Sequence, residues 1–246
     1  MSKRFDMLVV AMALISFAYA STTPAVAQPR QCSAGCAAAK RRCRVAAPRV
    51  GMPLLSDAAA AQLVHRSPWE PRPENAAANQ RVPGSADLTY FRANSNMPYK
   101  AQVTGDFTGT TDEIIQWAAY KHGLDPNLLR AVAAVESRWR MSANGNNGHS
   151  FGLFQIRQPY HCCAFLAAND TAFNADYYGA TIRAYYDGRQ GWLNKVSGNR
   201  ARYRAGDLWG SIGAWFSGRW HNPRAERYVA KVKQYLCERV WRQPGF

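Results

Sequence analysis

Helix-start signals recur along the second half of the chain, and they constrain its fold more than any other feature. A side chain that can cap a helix, followed by apolar residues at helical spacing, predicts a helix N-terminus, and proline fits the first helical position. Gly123, Asp187-Gly188 and Pro244 are the corresponding stop signals. We therefore predict a mainly α fold, with one helical domain over residues 110–246. The start signals are Thr110-x-x-Glu113, Asp125-Pro126, Asp170, Asp207 and Asn222-Pro223.

The helix that starts at Pro126 places a carboxylate beside an apolar face. Apolar residues recur at i, i+4, i+7 and i+11, which is one stripe of a helix. Glu136 lies at the edge of this stripe, near the predicted end of the helix. Desolvation disfavours the charged form of a carboxyl group, and a carboxyl that stays protonated near neutral pH is the acid that glycosidic bond cleavage needs. An ordinary solvated helix glutamate fits the periodicity equally well. The stripe is formed by Leu128, Val132, Val135 and Trp139.

Short motifs around Glu136 and beyond it resemble those of a known enzyme family. Glu136-Ser137, a Gly/Asn-rich loop and the segment Gly152–Ile156 resemble the glutamate-serine and Gly-Leu-(Met/Phe)-Gln motifs of the lytic transglycosylases, which are related to goose-type lysozyme. Three further segments follow in the order of that family, at residues 170–179, 214–218 and 228–232. The resemblance covers residues 110–240 and implies a lysozyme-like fold with a cleft between two lobes.

The resemblance also implies an activity on peptidoglycan glycan strands. Glu136 would protonate the oxygen between N-acetylmuramic acid and N-acetylglucosamine, and then act as base while the muramyl 6-hydroxyl closes a 1,6-anhydro ring. Neither a metal nor an organic cofactor is expected. Among the aromatic residues we expect exposure in the cleft for Phe154, Trp215 and Tyr228. The expected substrate-binding residues are Ser137, Gly152, Leu153, Phe154, Gln155, Asn174, Trp215 and Tyr228.

The chain departs from the family pattern at several positions. Trp215 and Phe216 stand where the family has Tyr-Asn, and an indole N–H donates a hydrogen bond but cannot accept one. Arg224 replaces an acidic residue that often precedes the final tyrosine, and the loop between Glu136 and Gly152 is one residue longer. Because of these departures, we expect the support of the glutamate and the positioning of the substrate to differ from the family pattern.

Two other functions fit the same motifs. A goose-type-like muramidase would hydrolyse the same bond, and a lysozyme-fold protein without activity would serve in peptidoglycan binding or wall assembly. Hydrolysis normally uses a second carboxylate. No second acid keeps a motif relation to Glu136; Asp170, Asp176, Asp187 and Asp207 are available, but Asp170 and Asp207 read as helix caps and Asp187 as a turn residue. The resemblance instead implies single-acid chemistry, and a secretion-system or wall-assembly partner is compatible with it.

The N-terminal part reads as an export signal followed by a linker. Lys3 and Arg4 precede an apolar run at residues 7–17 and the sequence Ala18-Tyr19-Ala20, the pattern of a cleaved signal peptide over residues 1–20. The run is too short to span a bilayer, so we expect a periplasmic or secreted protein without stable membrane insertion after cleavage; an uncleaved anchor is the alternative. Residues 21–109 are rich in Ala, Pro and Arg and read as an N-terminal segment or linker, with helical pieces at Cys32–Cys43 and Ser56–His65.

The cysteines agree with an oxidising compartment. They form two groups of three, and because three is odd, complete pairing requires at least one disulfide between the groups. A zinc site at His161-Cys162-Cys163 is the competing interpretation, but adjacent residues rarely surround one tetrahedral ion, so we expect no metal. The two groups are Cys32, Cys36 and Cys43, and Cys162, Cys163 and Cys237.

The net charge of +15 raises the question of a nucleic-acid partner. The basic residues are spread along the chain, apart from a short cluster at residues 40–44, and the predicted export separates the protein from nucleic acid. Peptidoglycan carries peptide carboxylates, and a positive protein meets an anionic polymer more often. We therefore expect an anionic wall polymer as the partner and no nucleic acid.

Overall fold

The computed structural model describes residues 46–246. The prediction of a mainly α fold is confirmed, and one small antiparallel sheet with the order β1-β2-β3 accompanies the helices. The strands are β1 (Asn144–Gly145), β2 (Ser150–Phe151) and β3 (Ile156–Arg157), and short 3-10 helices lie at Pro73–Asn75, Lys100–Gln102, Gly191–Lys195 and Val240–Arg242. The α-helices are α1 (Asp57–Gln62), α2 (Ala76–Asn79), α3 (Ser85–Asn94), α4 (Thr111–Lys121), α5 (Pro126–Glu136), α6 (Ala164–Asn169), α7 (Thr171–Tyr186), α8 (Leu208–Ser217) and α9 (Pro223–Glu238).

All five predicted helix starts between residues 110 and 223 are confirmed. Thr110 and Glu113 form a reciprocal capping box, in which each side chain accepts a hydrogen bond from the backbone N–H of the other. The other four caps each accept from an N–H two or three residues further on, and they are Asp125, Asp170, Asp207 and Asn222. The predicted end of the last helix at Pro244 is wrong. Helix α9 ends at Glu238, because Arg239 adopts a left-handed conformation that breaks the helical hydrogen-bond ladder.

The core lies where α5 packs between α4 and α9, with α7 behind α4 and α8 beside α9. The apolar stripe predicted on α5 is buried at Leu128, Val132 and Trp139 and partly buried at Val135. Trp139 also donates its indole N–H to the carbonyl of Arg130 at 3.0 Å. This packing fixes the C-terminal end of α5, where Glu136 lies.

The interpretation of residues 46–109 as part of a linker is wrong. They belong to the same compact unit as the helices that follow. Phe91 packs edge-on against Phe173 with ring centroids 5.2 Å apart, and Phe107 stacks on Trp117 at 5.3 Å. The buried side chain of Asn75 donates to the carbonyl of Trp139 at 2.7 Å. The segment is therefore part of the domain, and its single aromatic anchors have no periodicity that a sequence pattern would reveal.

The short elements of this segment were predicted in part. The helix expected within Ser56–His65 is confirmed as α1, with Ser56 as its N-cap. Helix α3 was not predicted, and neither were the 3-10 helix at Pro73–Asn75 and the single turn α2 in the proline-rich stretch. The predicted signal peptide, the helical piece at Cys32–Cys43 and the disulfide between the cysteine groups involve residues outside the described part of the chain. Within residues 46–246, no helix is long and apolar enough to cross a membrane.

Candidate active site

Glu136 is the last residue of α5, and its carboxyl group is held by two aromatic donors. The Tyr228 hydroxyl, on α9, donates to Oε1 of Glu136. The Trp215 side chain, on α8, donates to the same carboxyl group. Burial raises the pKa of Glu136 from 4.5 to about 7, while the two hydrogen bonds and the charge of Lys231 act in the opposite direction. At neutral pH the group is therefore present both as acid and as carboxylate.

The Gly152–Gln155 turn is fastened to the helices on either side of it. The Ser137 hydroxyl donates to the carbonyl of Leu153 at 2.8 Å. The Asn174 amide accepts from the Phe154 N–H at 2.8 Å and donates to the carbonyls of Phe151 and Ala167 at 3.0 and 2.7 Å. The Gln155 side chain donates to the carbonyls of Ala143 and Gly152, both at 3.0 Å. The polar groups of the motif therefore shape the turn.

Gly152 is required by the geometry of this turn. Its φ is +71°, in the left-handed region, and an added Cβ would lie 2.4 Å from both the carbonyl oxygen of Ala167 and the amide nitrogen of Asn174. Both neighbours are held in place by their mutual hydrogen bond. Only glycine allows α6 and α7 to approach the turn this closely.

The expectation that Phe154 and Tyr228 are exposed in a cleft is wrong. Phe154 is completely buried and stacks on Tyr178, with ring centroids 4.2 Å apart. Tyr228 is 6% exposed and stacks on Phe216 at 4.5 Å, with its hydroxyl turned towards Glu136. These rings complete the core behind the carboxyl group. The structure also buries four other residues that were expected to bind substrate, namely Ser137, Gly152, Leu153 and Asn174, whereas Gln155 and Trp215 remain partly exposed.

Trp215, which acts on the Glu136 carboxyl, also lines a cavity of about 650 Å³, and Glu136 itself is not one of the lining residues. The Trp215 ring lines the cavity and stacks on His161, with centroids 4.9 Å apart. Of the predicted site residues, Trp215 is the one that lines this cavity. The remaining walls are mostly aromatic, basic and amide side chains, including Tyr160, Tyr185, Trp192, Arg157, Arg219, Arg224, Gln190 and Asn222. A larger cavity of about 1030 Å³, lined by Trp69, Asp112, Arg130 and Trp241, contains none of the groups around Glu136.

Residues 113–161 match the family described as the Transglycosylase SLT domain. This part of the chain is thus similar to a lytic transglycosylase domain. The family implies peptidoglycan as the substrate class and action at the cell wall. The matched range contains the Glu136-Ser137 pair and the Gly152–Gln155 turn, so the resemblance seen in the motifs is confirmed. No curated protein and no solved structure matches the chain.

Tyr178, which lies outside the matched range, is a residue near Glu136 that the motifs did not single out. Burial and then the charge of Glu136 raise the pKa of Tyr178 well above its ordinary value, which places the phenol within electrostatic range of the carboxyl. The Tyr178 hydroxyl has no hydrogen-bond partner among the described residues. Tyr178 lies four residues after Asn174, so both project from the same face of α7. This four-residue spacing from Asn174 is the feature of the sequence that could have pointed to Tyr178.

The other acids considered from the sequence have structural partners. Asp176 is fully buried and pairs with Lys121 at 2.7 Å and His122 at 2.6 Å. Asp187 pairs with Arg183 at 2.8 Å, while Asp170 and Asp207 cap helices as predicted. Among residues 46–246, the groups that shift the pKa of Glu136 are Tyr228, Trp215 and Lys231, and none of them is an acid.

The zinc interpretation of His161-Cys162-Cys163 is wrong. The two cysteine sulfurs are bonded to each other, so they do not provide the thiolates that a zinc ion binds. The His161 ring instead contacts the Tyr177 hydroxyl through Nδ1 at 3.0 Å. Burial lowers the pKa of His161 to about 4, so the ring is neutral at neutral pH. His161 thus adds a neutral polar surface to the cavity.

Proposed function

We propose that this protein is an exported lytic transglycosylase that cleaves the bond between N-acetylmuramic acid and N-acetylglucosamine with Glu136 as its single acid and base. The observation that carries the proposal is the environment of Glu136. A carboxyl group with a pKa of about 7 can donate a proton in one step and accept one in the next, because both protonation states are populated at neutral pH.

In the first step, protonated Glu136 donates its proton to the glycosidic oxygen, and the bond from that oxygen to the muramyl C1 breaks. Positive charge develops at C1, and the acetamido group of the substrate stabilises it. The hydroxyl of Tyr228 and the indole of Trp215 donate to the carboxylate that this step leaves behind. Hydrogen bonds to the charged form stabilise it, so both residues favour proton release.

In the second step, the Glu136 carboxylate accepts the proton of the muramyl 6-hydroxyl as its oxygen bonds to C1. The products are a 1,6-anhydro-muramyl end and a free N-acetylglucosamine hydroxyl, and Glu136 is again protonated. The Gly152–Gln155 turn and Asn174 hold the wall of the site behind this reaction. Trp215 and Gln155, which keep partial exposure, are the predicted residues available for contact with sugar.

A hydrolase is the alternative to a transglycosylase that makes a specific chemical demand on the site. An inverting or retaining hydrolase needs a second carboxylate, which activates water or attacks C1. The acids considered for this role are engaged in helix caps and ion pairs, which supports transglycosylation. A protein that binds glycan without cutting it would keep the cavity but would have no use for the raised pKa of Glu136.

The test is mass spectrometry of the fragments that the mature protein releases from purified peptidoglycan. Glu136→Gln is the test variant, and Glu238→Gln is the matched control, because Glu238 is exposed at the end of α9. We expect anhydro fragments, lighter by one water than hydrolysis products, from the unaltered protein and the control but not from Glu136→Gln. Fragments with reducing ends would identify a hydrolase, and binding without release by any form would identify a binding protein.

A further inference from the structure

Tyr178 on α7 carries a hydroxyl group that no described residue binds. The side chain is completely buried, and its hydroxyl has no hydrogen-bond partner within residues 46–246. Three other buried tyrosines, Tyr177, Tyr203 and Tyr228, each have such a partner. Tyr178 therefore differs from them in holding a buried donor that the described part of the chain leaves unused.

The packing of the Tyr178 ring gives no reason for this hydroxyl. The ring stacks on Phe154 with centroids 4.2 Å apart, and it lies perpendicular to the ring of Trp215 with centroids 5.0 Å apart. A phenylalanine ring would make the same contacts. A buried hydroxyl without a partner has lost its hydrogen bonds to water and gained none in exchange, so it destabilises the folded state. The hydroxyl therefore indicates a role other than packing.

The unused donor lies in the environment of Glu136. Burial, followed by the charge of Glu136, raises the pKa of Tyr178 well above its ordinary value. Burial also raises the pKa of Tyr228, and the charge of Glu136 and then the Tyr178 phenol act in the same direction. Trp215, which packs against Tyr178, donates a hydrogen bond to the same carboxyl. Three aromatic side chains with polar hydrogens thus lie near one carboxyl group, and two of them donate to it.

The ionised form of Glu136 can accept a third hydrogen bond. A carboxylate has about four acceptor positions on its two oxygens, and Tyr228 and Trp215 fill two of them. The protonated form has fewer, because one oxygen carries the proton. The Tyr178 ring is held by its contacts with two other rings, whereas Glu136 ends α5 on a flexible side chain. The carboxyl is therefore the group that moves when the two come together.

We propose that Tyr178 is a third donor to Glu136: its hydroxyl donates a hydrogen bond to the carboxylate that forms when Glu136 gives up its proton. Tyr178 acts on the reaction through Glu136, so it is a positioning residue. This inference rests on the proposed function, because it adds a residue to the support of the proposed acid. A donor that binds only the charged form favours proton release and holds the carboxylate in place for the second step.

Urea unfolding of Tyr178→Phe and of the unaltered protein tests this hydrogen bond without any substrate. At pH 4 Glu136 is protonated and the hydroxyl has no partner, so the variant should be at least as stable as the unaltered protein. At pH 8.5, above the pKa of about 7, Glu136 is ionised. The ratio of the two folding equilibrium constants should therefore shift about tenfold in favour of the unaltered protein between pH 4 and pH 8.5, because a hydrogen bond to a charged group contributes about that much.

Two further comparisons serve as controls. In a Glu136→Gln background, Tyr178→Phe should have the same effect at both pH values, because glutamine does not ionise. Tyr203→Phe removes a hydroxyl that donates to the carbonyl of Tyr185 at 2.7 Å, so it should lower stability equally at both pH values. An effect of Tyr178→Phe alone that is equal at pH 4 and pH 8.5 would overturn the proposal. A pH-dependent effect that persists with Glu136→Gln would overturn it as well.

Cleavage kinetics on purified peptidoglycan test the consequence for the reaction. Tyr178→Phe should lower kcat about tenfold and move the alkaline limb of the pH–rate profile to higher pH, while KM stays almost unchanged because the hydroxyl is buried. Tyr203→Phe should change neither kcat nor the limb. An unmoved limb in Tyr178→Phe would overturn the positioning role. Absence of cleavage by the unaltered protein would refute the proposed function instead, and the unfolding comparison would still decide whether the hydrogen bond forms.

Discussion

Replacing Glu136 by Gln should change the stability of the protein in a pH-dependent way. Burial raises the pKa of Glu136 from 4.5 to about 7 in the folded protein. Between these values the folded state holds a proton that the unfolded chain has released, so the free energy of unfolding falls as pH rises through this window and levels off above it. A difference of about 2.5 pH units, at about 1.36 kcal/mol each, corresponds to ~3 kcal/mol.

Glutamine has nearly the same size as glutamate and keeps an oxygen that can accept from Tyr228, but it does not ionise. We expect Glu136→Gln and the unaltered protein to differ by less than about 0.5 kcal/mol at pH 4. At pH 8.5 the variant should be more stable by ~3 kcal/mol, which is about 6–12 °C in Tm for a domain of this size. Urea unfolding of both proteins from pH 4 to pH 8.5 measures the difference. Other titrating groups, such as Asp170, whose pKa burial raises to about 7, cancel in that difference.

A stability difference that stays constant across this pH range would refute the reasoning, because it would mean that Glu136 titrates in the folded protein as it does in the unfolded chain. The proposed acid would then be ionised at neutral pH. The exposed Glu238 provides the control, since Glu238→Gln should leave the pH dependence of unfolding unchanged.

Three further predictions follow from individual contacts. Tyr228→Phe removes a hydrogen-bond donor to the Glu136 carboxylate, so the pKa of Glu136 should rise by about 1–2 units. The alkaline limb of the pH–rate profile should move to higher pH with it. An unmoved limb would show that the Tyr228 hydroxyl does not stabilise the carboxylate. Gly152→Ala should lower the free energy of unfolding in urea by ~3 kcal/mol or more, because its Cβ meets two fixed atoms. The control Gly148→Ala, at φ +88° with open space around it, should lower it only by the ~1 kcal/mol of a left-handed alanine. Equal losses would show that the close approach is unimportant. Burial raises the pKa of Asp176, but its buried ion pairs outweigh this and lower it to about 2, so Asp176→Asn should destabilise the fold by ~3–5 kcal/mol near neutral pH. In difference curves against this variant, the contribution of Asp176 should be complete above pH 3.8 and lost as pH falls through 2. A flat difference curve would show that the carboxylate is not needed.

The sequence by itself determined the starts of the five capped helices from residue 110 onwards and the resemblance to the transglycosylase family. A helix cap is a contact between residues two or three positions apart, so the side chain that makes it and the N–H that it binds lie in the same short stretch of sequence. This is why the starts at Asp125, Asp170, Asp207 and Asn222 could be predicted one by one. The Glu136-Ser137 pair and the Gly152–Gln155 turn are short motifs for the same reason, and they were enough to reveal the resemblance that the match over residues 113–161 confirms.

Only the tertiary structure decided the state of the carboxyl group and the surface offered to a ligand. Tyr228 lies 92 residues after Glu136, and its hydroxyl reaches the carboxyl only because α9 packs along α5. The burial of Phe154 depends on Tyr178 of α7, and Trp215 of α8 and Arg157 of β3 line one cavity although they are far apart in the sequence. Burial and pKa depend on all neighbours in space, and a periodic pattern along one helix contains no information about neighbours from other elements.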